Sequence, residues 1–172
     1  TQGYETVYGV EDFYFGLDHF TYKELIENVK IAESAVLEGT EKTDFLYGGA
    51  FPTTIYGYGS DDRITGSDFV DTIYGGDGDD VIIASGGADA VFGGAGKDTW
   101  LFPVDPDGSS TVVVDLVEGT AWDGRDHDAL DGIENIIVRD SRTVRLRGDE
   151  LANRLVGNDG DEYIDGRNGN DR

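Results

Sequence analysis

A nine-residue period runs from Gly39 to Leu101 without an insertion, and it constrains the fold more than any other feature of the chain. Cutting the sequence every nine residues from Gly39 gives seven consecutive nonapeptides. Their eighth positions are always apolar, reading Leu46, Ile55, Ile64, Ile73, Ile82, Val91 and Trp100. Their sixth positions are aspartate in six of seven cases, reading Asp44, Thr53, Asp62, Asp71, Asp80, Asp89 and Asp98. Two columns that stay in phase over this length predict a solenoid of stacked turns.

The local chemistry of one nonapeptide predicts half of a coil. Positions one to six are rich in glycine, which adopts positive φ without a Cβ clash and therefore favours a turn whose carbonyl groups can point inward. Positions seven to nine favour a short strand whose middle residue faces the interior, since strand side chains alternate between faces. Two nonapeptides then complete one coil, so residues 18 apart stack at about the 4.8 Å spacing of neighbouring strands.

This stacking places acidic side chains in two columns, one along each edge of the predicted roll. One edge carries Asp44, Asp62, Asp80 and Asp98, and the other carries Thr53, Asp71 and Asp89. Bare carboxylates at this spacing repel by about 1 kcal/mol in water and by about 3.5 kcal/mol at an effective dielectric of 20. Ca²⁺ accepts six to eight oxygen ligands in flexible geometry, whereas Mg²⁺ demands a tighter octahedron. The columns therefore predict calcium sites; the alternative is that the aspartates only cap their own turns.

The repeat resembles that of the RTX, or hemolysin-type calcium-binding, family, whose pattern is G-G-x-G-x-D-x-U-x with U apolar. The nonapeptides 75–83 and 93–101 match every fixed position. Four others depart from glycine at position four, with Lys42, Phe51, Ser60 and Phe69. The resemblance implies an all-β, right-handed parallel β-roll that binds several Ca²⁺ ions. The residues expected to hold the metal are Asp44, Asp62, Asp80, Asp98, Asp71, Asp89, Asp171, Gly57, Gly59, Gly75, Gly76, Gly78, Gly93, Gly94 and Gly96.

A second, weaker array begins at Gly148, with Asn153, Glu162 and Asp171 at its sixth positions. The sequence thus divides into a flanking segment 1–38, a first array 39–101, a linker 102–147 and the start of a second array 148–172. Within the linker, the apolar runs at 111–122 and 131–140 predict strands. The second array stops inside a nonapeptide, and we expect the chain to be a fragment of a larger protein with several RTX blocks.

Composition excludes several other functions. The 36 acidic residues against 13 basic ones give a formal charge of −23, which repels nucleic acid and anionic lipid. No apolar run has the length of a membrane span, and no cysteine is present for a disulfide or a thiolate metal site. At the same time 38% of the residues are hydrophobic, too many for a chain that stays disordered. A chain that buries its core only after its carboxylates are neutralised fits both observations.

Candidate catalytic chemistry is sparse, and we expect no enzyme. The two histidines, His19 and His127, belong to no zinc-binding pattern. The acidic residues Asp126 and Asp128 beside His127 are interpreted as part of a solvated polar turn. No serine lies in a nucleophile-elbow setting, and the glycine-rich loops lack the Lys-Ser/Thr pair of a phosphate site.

These features and the resemblance lead to one main functional hypothesis. The chain is a calcium-binding structural block of a secreted, type I exported bacterial toxin, adhesin or surface protein, and it folds on binding calcium outside the cell. The alternative is a carbohydrate-binding accessory module of an extracellular polysaccharide-modifying enzyme. At position nine, Tyr56, Tyr74 and Phe92 form an aromatic ladder that could bind a glycan or a host or cell-surface protein, or be covered by the linker. Neighbouring RTX blocks of the same chain are the remaining expected partners.

Overall fold

In the part of the chain that the computed structural model describes, the regular structure consists of 18 short β-strands. The structure describes residues 12–15, 18–21, 29–31, 35–83, 85–102, 111–139, 143–157 and 161–172. Strands β1 (Asp12–Phe15) and β2 (Asp18–Thr21) pair as an antiparallel hairpin outside the two larger sheets. Within these ranges no helix is long and apolar enough to cross a membrane.

One large sheet has seven strands and is parallel throughout. Each of its strands is three residues long, and those in the arrays occupy positions seven to nine of a nonapeptide, where the sequence predicts them. Their short length follows from the glycines that begin the next turn. In spatial order the strands are β3 (Val29–Ile31), β5 (Phe45–Tyr47), β7 (Arg63–Thr65), β9 (Val81–Ile83), β11 (Thr99–Leu101), β15 (Asn135–Ile137) and β17 (Arg154–Val156).

The other large sheet has nine strands and contains one antiparallel strand, β13, which runs against both of its neighbours. All its other pairs are parallel. In spatial order the strands are β4 (Val36–Thr40), β6 (Thr54–Gly59), β8 (Thr72–Asp77), β10 (Ala90–Ala95), β14 (His127–Asp131), β13 (Thr120–Trp122), β12 (Thr111–Asp115), β16 (Thr143–Arg147) and β18 (Glu162–Asp165).

The residues between the two arrays contribute strands to both sheets. Strand β14 pairs with β10, and β15 pairs with β11 on one side and with β17 of the second array on the other. Strands β12 and β13 are an excursion that adds to the longer sheet alone. An Arg147–Asp115 ion pair of 2.6 Å ties β16 to β12. The coils form a solenoid of about six turns through both arrays.

The core of the roll is the predicted apolar column at position eight. Leu46, Ile55, Ile64, Ile73, Ile82, Val91 and Trp100 are each at most 1% exposed. Ile136 extends this column into the segment between the arrays and is also fully buried. Burying such a side chain stabilises a fold by about 1.5–3 kcal/mol. The predicted all-β parallel β-roll is therefore confirmed, and the nine-residue period was the correct basis for it.

Candidate metal centre

Position six forms a hydrogen-bonded ladder along one edge of the roll. Oδ1 of Asp62 accepts the backbone N–H of Asp44 at 2.8 Å. Asp80 accepts the N–H of Asp62 at 2.7 Å, and Asp98 accepts that of Asp80 at 2.9 Å. All four side chains are buried. The structure thus brings the four aspartates together in the order and spacing that the sequence predicts.

The second carboxylate oxygen in this column lacks a partner. Oδ2 of Asp62, Asp80 and Asp98 is buried and accepts no hydrogen bond. A buried polar atom left unpaired costs about 1–3 kcal/mol, and a charged one costs more. A cation beside each Oδ2 would remove that cost, because it replaces the lost hydration of the carboxylate with a direct attraction.

A glycine at position one makes room next to each of these oxygens. A Cβ on Gly57 would lie 2.6 Å from Oδ2 of Asp62, and one on Gly75 would lie 2.5 Å from the carbonyl oxygen of Gly93 in the next coil. A carboxylate oxygen and a backbone carbonyl oxygen therefore converge over each glycine. No group of three acidic or histidine side chains that could hold a metal occurs in the described ranges. A metal here would rely on mixed carboxylate and carbonyl oxygens, which are the ligands that Ca²⁺ accepts.

The glycines at positions two and four have a different role. Gly76 and Gly94 at position two, and Gly78 and Gly96 at position four, have φ between 114° and 145°. In the turn 57–62 these positions hold Tyr58 and Ser60, which also adopt positive φ. This backbone shape is thus a property of the turn rather than of glycine alone, although it strains a residue with a Cβ. Gly59, at position three, lies against Glu41 and not against an aspartate.

The opposite edge offers fewer open oxygens. Oδ1 of Asp71 accepts the N–H of Thr53, and Oδ1 of Asp89 accepts that of Asp71, both at 2.7 Å. Oδ2 of Asp89 is buried without a partner. Asp71 is different, because its Oδ2 accepts the N–H of Ser67 at 2.5 Å and its hydroxyl at 2.9 Å. Asp71 therefore makes the hydrogen bonds within its own turn that the turn-capping alternative predicts.

A hydroxyl also donates to Asp44, the first aspartate of the edge that carries Asp62, Asp80 and Asp98. The Thr40 hydroxyl donates to Oδ2 of Asp44 at 2.7 Å. Thr40 and Ser67 both occupy position two, where the repeat pattern has glycine. A hydroxyl at position two thus reaches the carboxylate of its own turn and donates to the oxygen that Asp62, Asp80 and Asp98 leave unpaired.

In the second array, position six is only partly acidic. Oδ1 of Asp171 accepts the N–H of Asn153 at 3.0 Å, so the ladder geometry is retained. The Asn153 amide accepts the N–H of Asp149 at 2.9 Å and donates to the carbonyl oxygen of Glu134 at 3.2 Å. The amide of Asn153 is thus satisfied at both ends, and Asp171 is only half-buried, unlike the buried aspartates of the first array.

The sequence did not predict two carboxylates of the ladder, those of Asp128 and Glu134. Oδ1 of Asp128 accepts the N–H of Asp89 at 2.9 Å, and Oε2 of Glu134 accepts that of Asp98 at 2.8 Å. Asp128 is only 6% exposed, so its interpretation as part of a solvated turn is wrong. The short match between Asp128-Ala129-Leu130 and Asp89-Ala90-Val91 is the signal that could have found it.

Burial shifts the acid–base behaviour of these carboxylates. Loss of hydration raises the pKa of Asp62 and Asp98 to about 7, and that of Asp80 to about 6. The same cause raises the pKa of Asp89 to about 8. The hydrogen bond from the preceding coil lowers each pKa in part, and neighbouring carboxylates raise it further. Without a metal, the folded chain therefore holds protons near neutral pH.

We expect the calcium-free chain to gain β-structure when the pH falls from about 8.5 to about 5. The folded-state pKa values lie above the unfolded value of about 3.9, so the folded chain binds more protons in between. The stability from these groups is fully present below about pH 4, and it is lost as the pH rises through 6 to 8. Far-UV circular dichroism in calcium-free buffer measures the effect, and Asp89→Asn should weaken it. Equal β-content at both pH values would contradict the burial of these carboxylates.

The aromatic ladder of position nine is present in the structure. Tyr56 stacks on Tyr74 at 5.0 Å between ring centroids, and Tyr74 stacks on Phe92 at 4.9 Å. The rings are parallel within 4° and 10° respectively. Tyr74 remains 36% exposed, so the ladder is only partly covered. Both faces of the middle ring, Tyr74, are thus used within the ladder.

Fold and turns together define a class of protein: a parallel β-solenoid whose turns offer buried carboxylate and carbonyl oxygens to a hard cation. A family model described as RTX calcium-binding nonapeptide repeat (4 copies) matches residues 38–73, 65–99 and 145–172, which is more than half of the chain. The chain belongs to this RTX family, whose repeats bind Ca²⁺. No curated protein was found to match the chain.

Proposed function

We propose that this chain is the calcium-dependent folding block of an exported bacterial protein, such as a toxin, adhesin or surface protein that leaves the cell by type I secretion. Membership of the RTX family supports this, since RTX repeats are typical of secreted proteins. The charge of −23 supports it as well, because self-repulsion disfavours the compact state wherever calcium is scarce. The repeat β-roll is a structural fold, and we expect no catalysis by the block itself.

The observation that carries the proposal is the row of buried carboxylate oxygens without partners at Asp62, Asp80 and Asp98. They recur once per coil, each beside a position-one glycine. No ion pair found among the described residues involves these aspartates. A missing partner that repeats with the period of the fold indicates a ligand that repeats with it.

Each aspartate has two separate roles in this proposal. Oδ1 fixes the spacing between coils through its hydrogen bond, and Oδ2 remains free for the ion. The position-one carbonyls of Gly75 and Gly93 add neutral oxygens from the next coil, while the glycines at positions two and four shape the turn. Bound calcium supplies the positive charge that these buried oxygens lack. The edge with Asp62, Asp80 and Asp98 is therefore the stronger calcium column.

The stacked aromatic ladder gives little support to the carbohydrate-binding alternative. A sugar ring packs on an aromatic ring through the face of that ring. In the ladder, both faces of Tyr74 lie against other rings. The ladder instead resembles a cross-strand packing row that stabilises the outer surface of the nine-stranded sheet.

A calcium titration of tryptophan fluorescence tests the proposed function. Trp100 is 1% exposed in the fold, and Trp122 packs on His127 at 4.4 Å, so both indoles report folding. We expect one cooperative transition with a midpoint of about 10⁻⁴–10⁻³ M, the range of extracellular calcium modules. Such a midpoint keeps the chain unfolded in a low-calcium cytosol. A midpoint below about 10⁻⁶ M, in the range of cytosolic buffers and sensors, would contradict folding after export.

A further inference from the structure

Acidic residues outside the repeat motif lie where the first array meets the segment between the arrays. The parallel registers of β10 with β14 and of β11 with β15 place Asp128 beside Asp89 and Glu134 beside Asp98. The family match ends at residue 99 and resumes at residue 145, so it contains neither Asp128 nor Glu134. We call this boundary the junction. It has one turn on each edge of the roll: the turn with Gly132 and Glu134, and the turn with Asp126 and Asp128.

On the stronger edge, the junction repeats the geometry of the column. The N–H of Asp98 donates to Oε2 of Glu134 at 2.8 Å, just as the N–H of Asp80 donates to Asp98. Oδ2 of Asp98 is buried without a partner, and it lies beside Gly93 together with the carbonyl oxygen of Gly132. Gly132 therefore supplies the carbonyl that Gly93 supplies one coil earlier.

The junction forms this geometry with a shorter turn and a longer acidic side chain than the array uses. Glu134 follows Asp128 by six positions, whereas consecutive position-six residues in the array are nine positions apart. The turn is three residues shorter, and a glutamate, with one more methylene than aspartate, occupies the ladder position. The longer side chain lets a carboxylate meet the N–H of Asp98 from a shorter turn.

On the opposite edge, the junction places two further acidic side chains, Asp126 and Asp128, at the turn of Asp89. Asp89 is 2% exposed, its Oδ2 has no partner, and its N–H donates to Oδ1 of Asp128 at 2.9 Å. Asp126 accepts the N–H of Gly87, in the same turn as Asp89, at 3.2 Å. Two carboxylates of the next coil, Asp126 and Asp128, thus accept N–H groups from the turn that contains the unpaired, buried oxygen of Asp89.

We propose that two calcium ions bind at the junction, outside the nonapeptide motif: one between Asp98 and the turn of Gly132 and Glu134, and one between Asp89 and Asp128. The proposal rests on the proposed function, because it extends the carboxylate columns of both edges by one coil. These ions connect the first array to β14 and β15 across the β12–β13 excursion. Since β15 pairs directly with β17, they join both arrays into one cooperative unit.

Counting bound calcium on the full chain tests the proposal. Native mass spectrometry at saturating calcium gives the ion number for the wild type, Glu134→Gln and Asp128→Asn. Glu118→Gln is the control, because Glu118 is an exposed acid of the same segment. Each junction variant should bind one ion fewer than the wild type, and the control should bind the same number. Gln and Asn keep an oxygen that accepts the N–H of the preceding coil, and circular dichroism in excess calcium confirms that each variant is folded.

A second measurement reports on cooperativity between the arrays. In the wild type, amide protection of residues 154–156 in β17 should rise at the same calcium concentration as that of residues 81–83 in β9. In Glu134→Gln and Asp128→Asn, the rise in β17 should occur at a calcium concentration several-fold higher than the rise in β9, because each variant loses an ion that couples the two arrays.

The outcomes separate the junction sites from the proposed function. A full ion count in both junction variants, together with a reduced count in Asp80→Asn, would overturn the junction sites and leave the proposed function intact. A loss in one variant alone supports the site on that edge and overturns the other. A wild-type chain that binds no calcium would overturn the proposed function itself.

Discussion

In a calcium chelator at neutral pH, the chain is expected to lose most of its β-structure and to recover it when calcium is restored to about 1 mM. Each ion present at 100 times its Kd stabilises the fold by about 2.7 kcal/mol. The three unpartnered oxygens at Asp62, Asp80 and Asp98 imply at least three ions. Their combined contribution then reaches the range of about 5–15 kcal/mol that is the whole stability of an ordinary domain. Far-UV circular dichroism and the fluorescence of buried Trp100 measure the transition.

Two controls separate site binding from general screening of the −23 charge. Sodium chloride at the ionic strength of the calcium sample screens charge without filling a site, and should restore little β-structure. Magnesium at equal concentration should also be much less effective, because it gives up its water reluctantly and demands a regular octahedron. Full β-structure in chelator at neutral pH would show that the carboxylate columns do not govern folding.

Neutralising Asp80 is expected to have the largest effect of any single substitution. Its Oδ1 holds the N–H of Asp62, and its Oδ2 lies with the carbonyl oxygen of Gly93 beside Gly75, so the side chain serves the gaps on both sides. Asp80→Asn keeps the hydrogen bond and removes the charge. We expect a loss of up to two bound ions and a several-fold rise in the calcium midpoint of folding, because the free energy that those ions supply must then come from higher occupancy of the remaining ones.

Asp71→Asn is the matched control for this substitution. Asp71 occupies the same position in its turn, but Ser67 satisfies its Oδ2. The calcium midpoint should therefore change far less than in Asp80→Asn, and Thr53→Ala should change it least. In chelator at about pH 8, the effect of Asp80→Asn should have the opposite sign. The variant should be more folded than the wild type, because it removes a buried carboxylate that is ionised above its pKa of about 6. Equal midpoints for Asp80→Asn and Asp71→Asn would contradict the assignment of the stronger edge.

Much of the fold could be read from the sequence because one period encodes both the strand and the turn. The apolar side chain at Ile73 or Ile82 needs only the two-residue alternation of a strand to be placed inside. The pairing of Asp62 with Asp80 needs only two repeats to make a coil. Both inferences depend on distance along the chain, which a regular solenoid converts directly into distance in space.

The sequence did not predict the contacts for which spacing along the chain does not give spacing in the fold. Glu134 joins the ladder across a shortened turn and after an excursion of the chain, so no fixed spacing relates it to Asp98. The hydroxyl of Ser67 satisfies Asp71 through a contact within one turn, and the repeat pattern treats that position only as a missing glycine. In both cases the length and position of a side chain decide whether the contact forms, and the nine-residue period contains no information about either.

The ladder of position six also gives the roll two different ends. In every rung the N–H belongs to the earlier coil and the carboxylate to the later one, from Asp44 with Asp62 to Asp98 with Glu134. At position six, one face of any coil therefore presents an amide donor, and the opposite face presents a carboxylate oxygen. Along this ladder, two such rolls are complementary only when the donor face of one meets the acceptor face of the other. End-to-end association is thus head-to-tail, which extends in one direction and does not close into a symmetric pair.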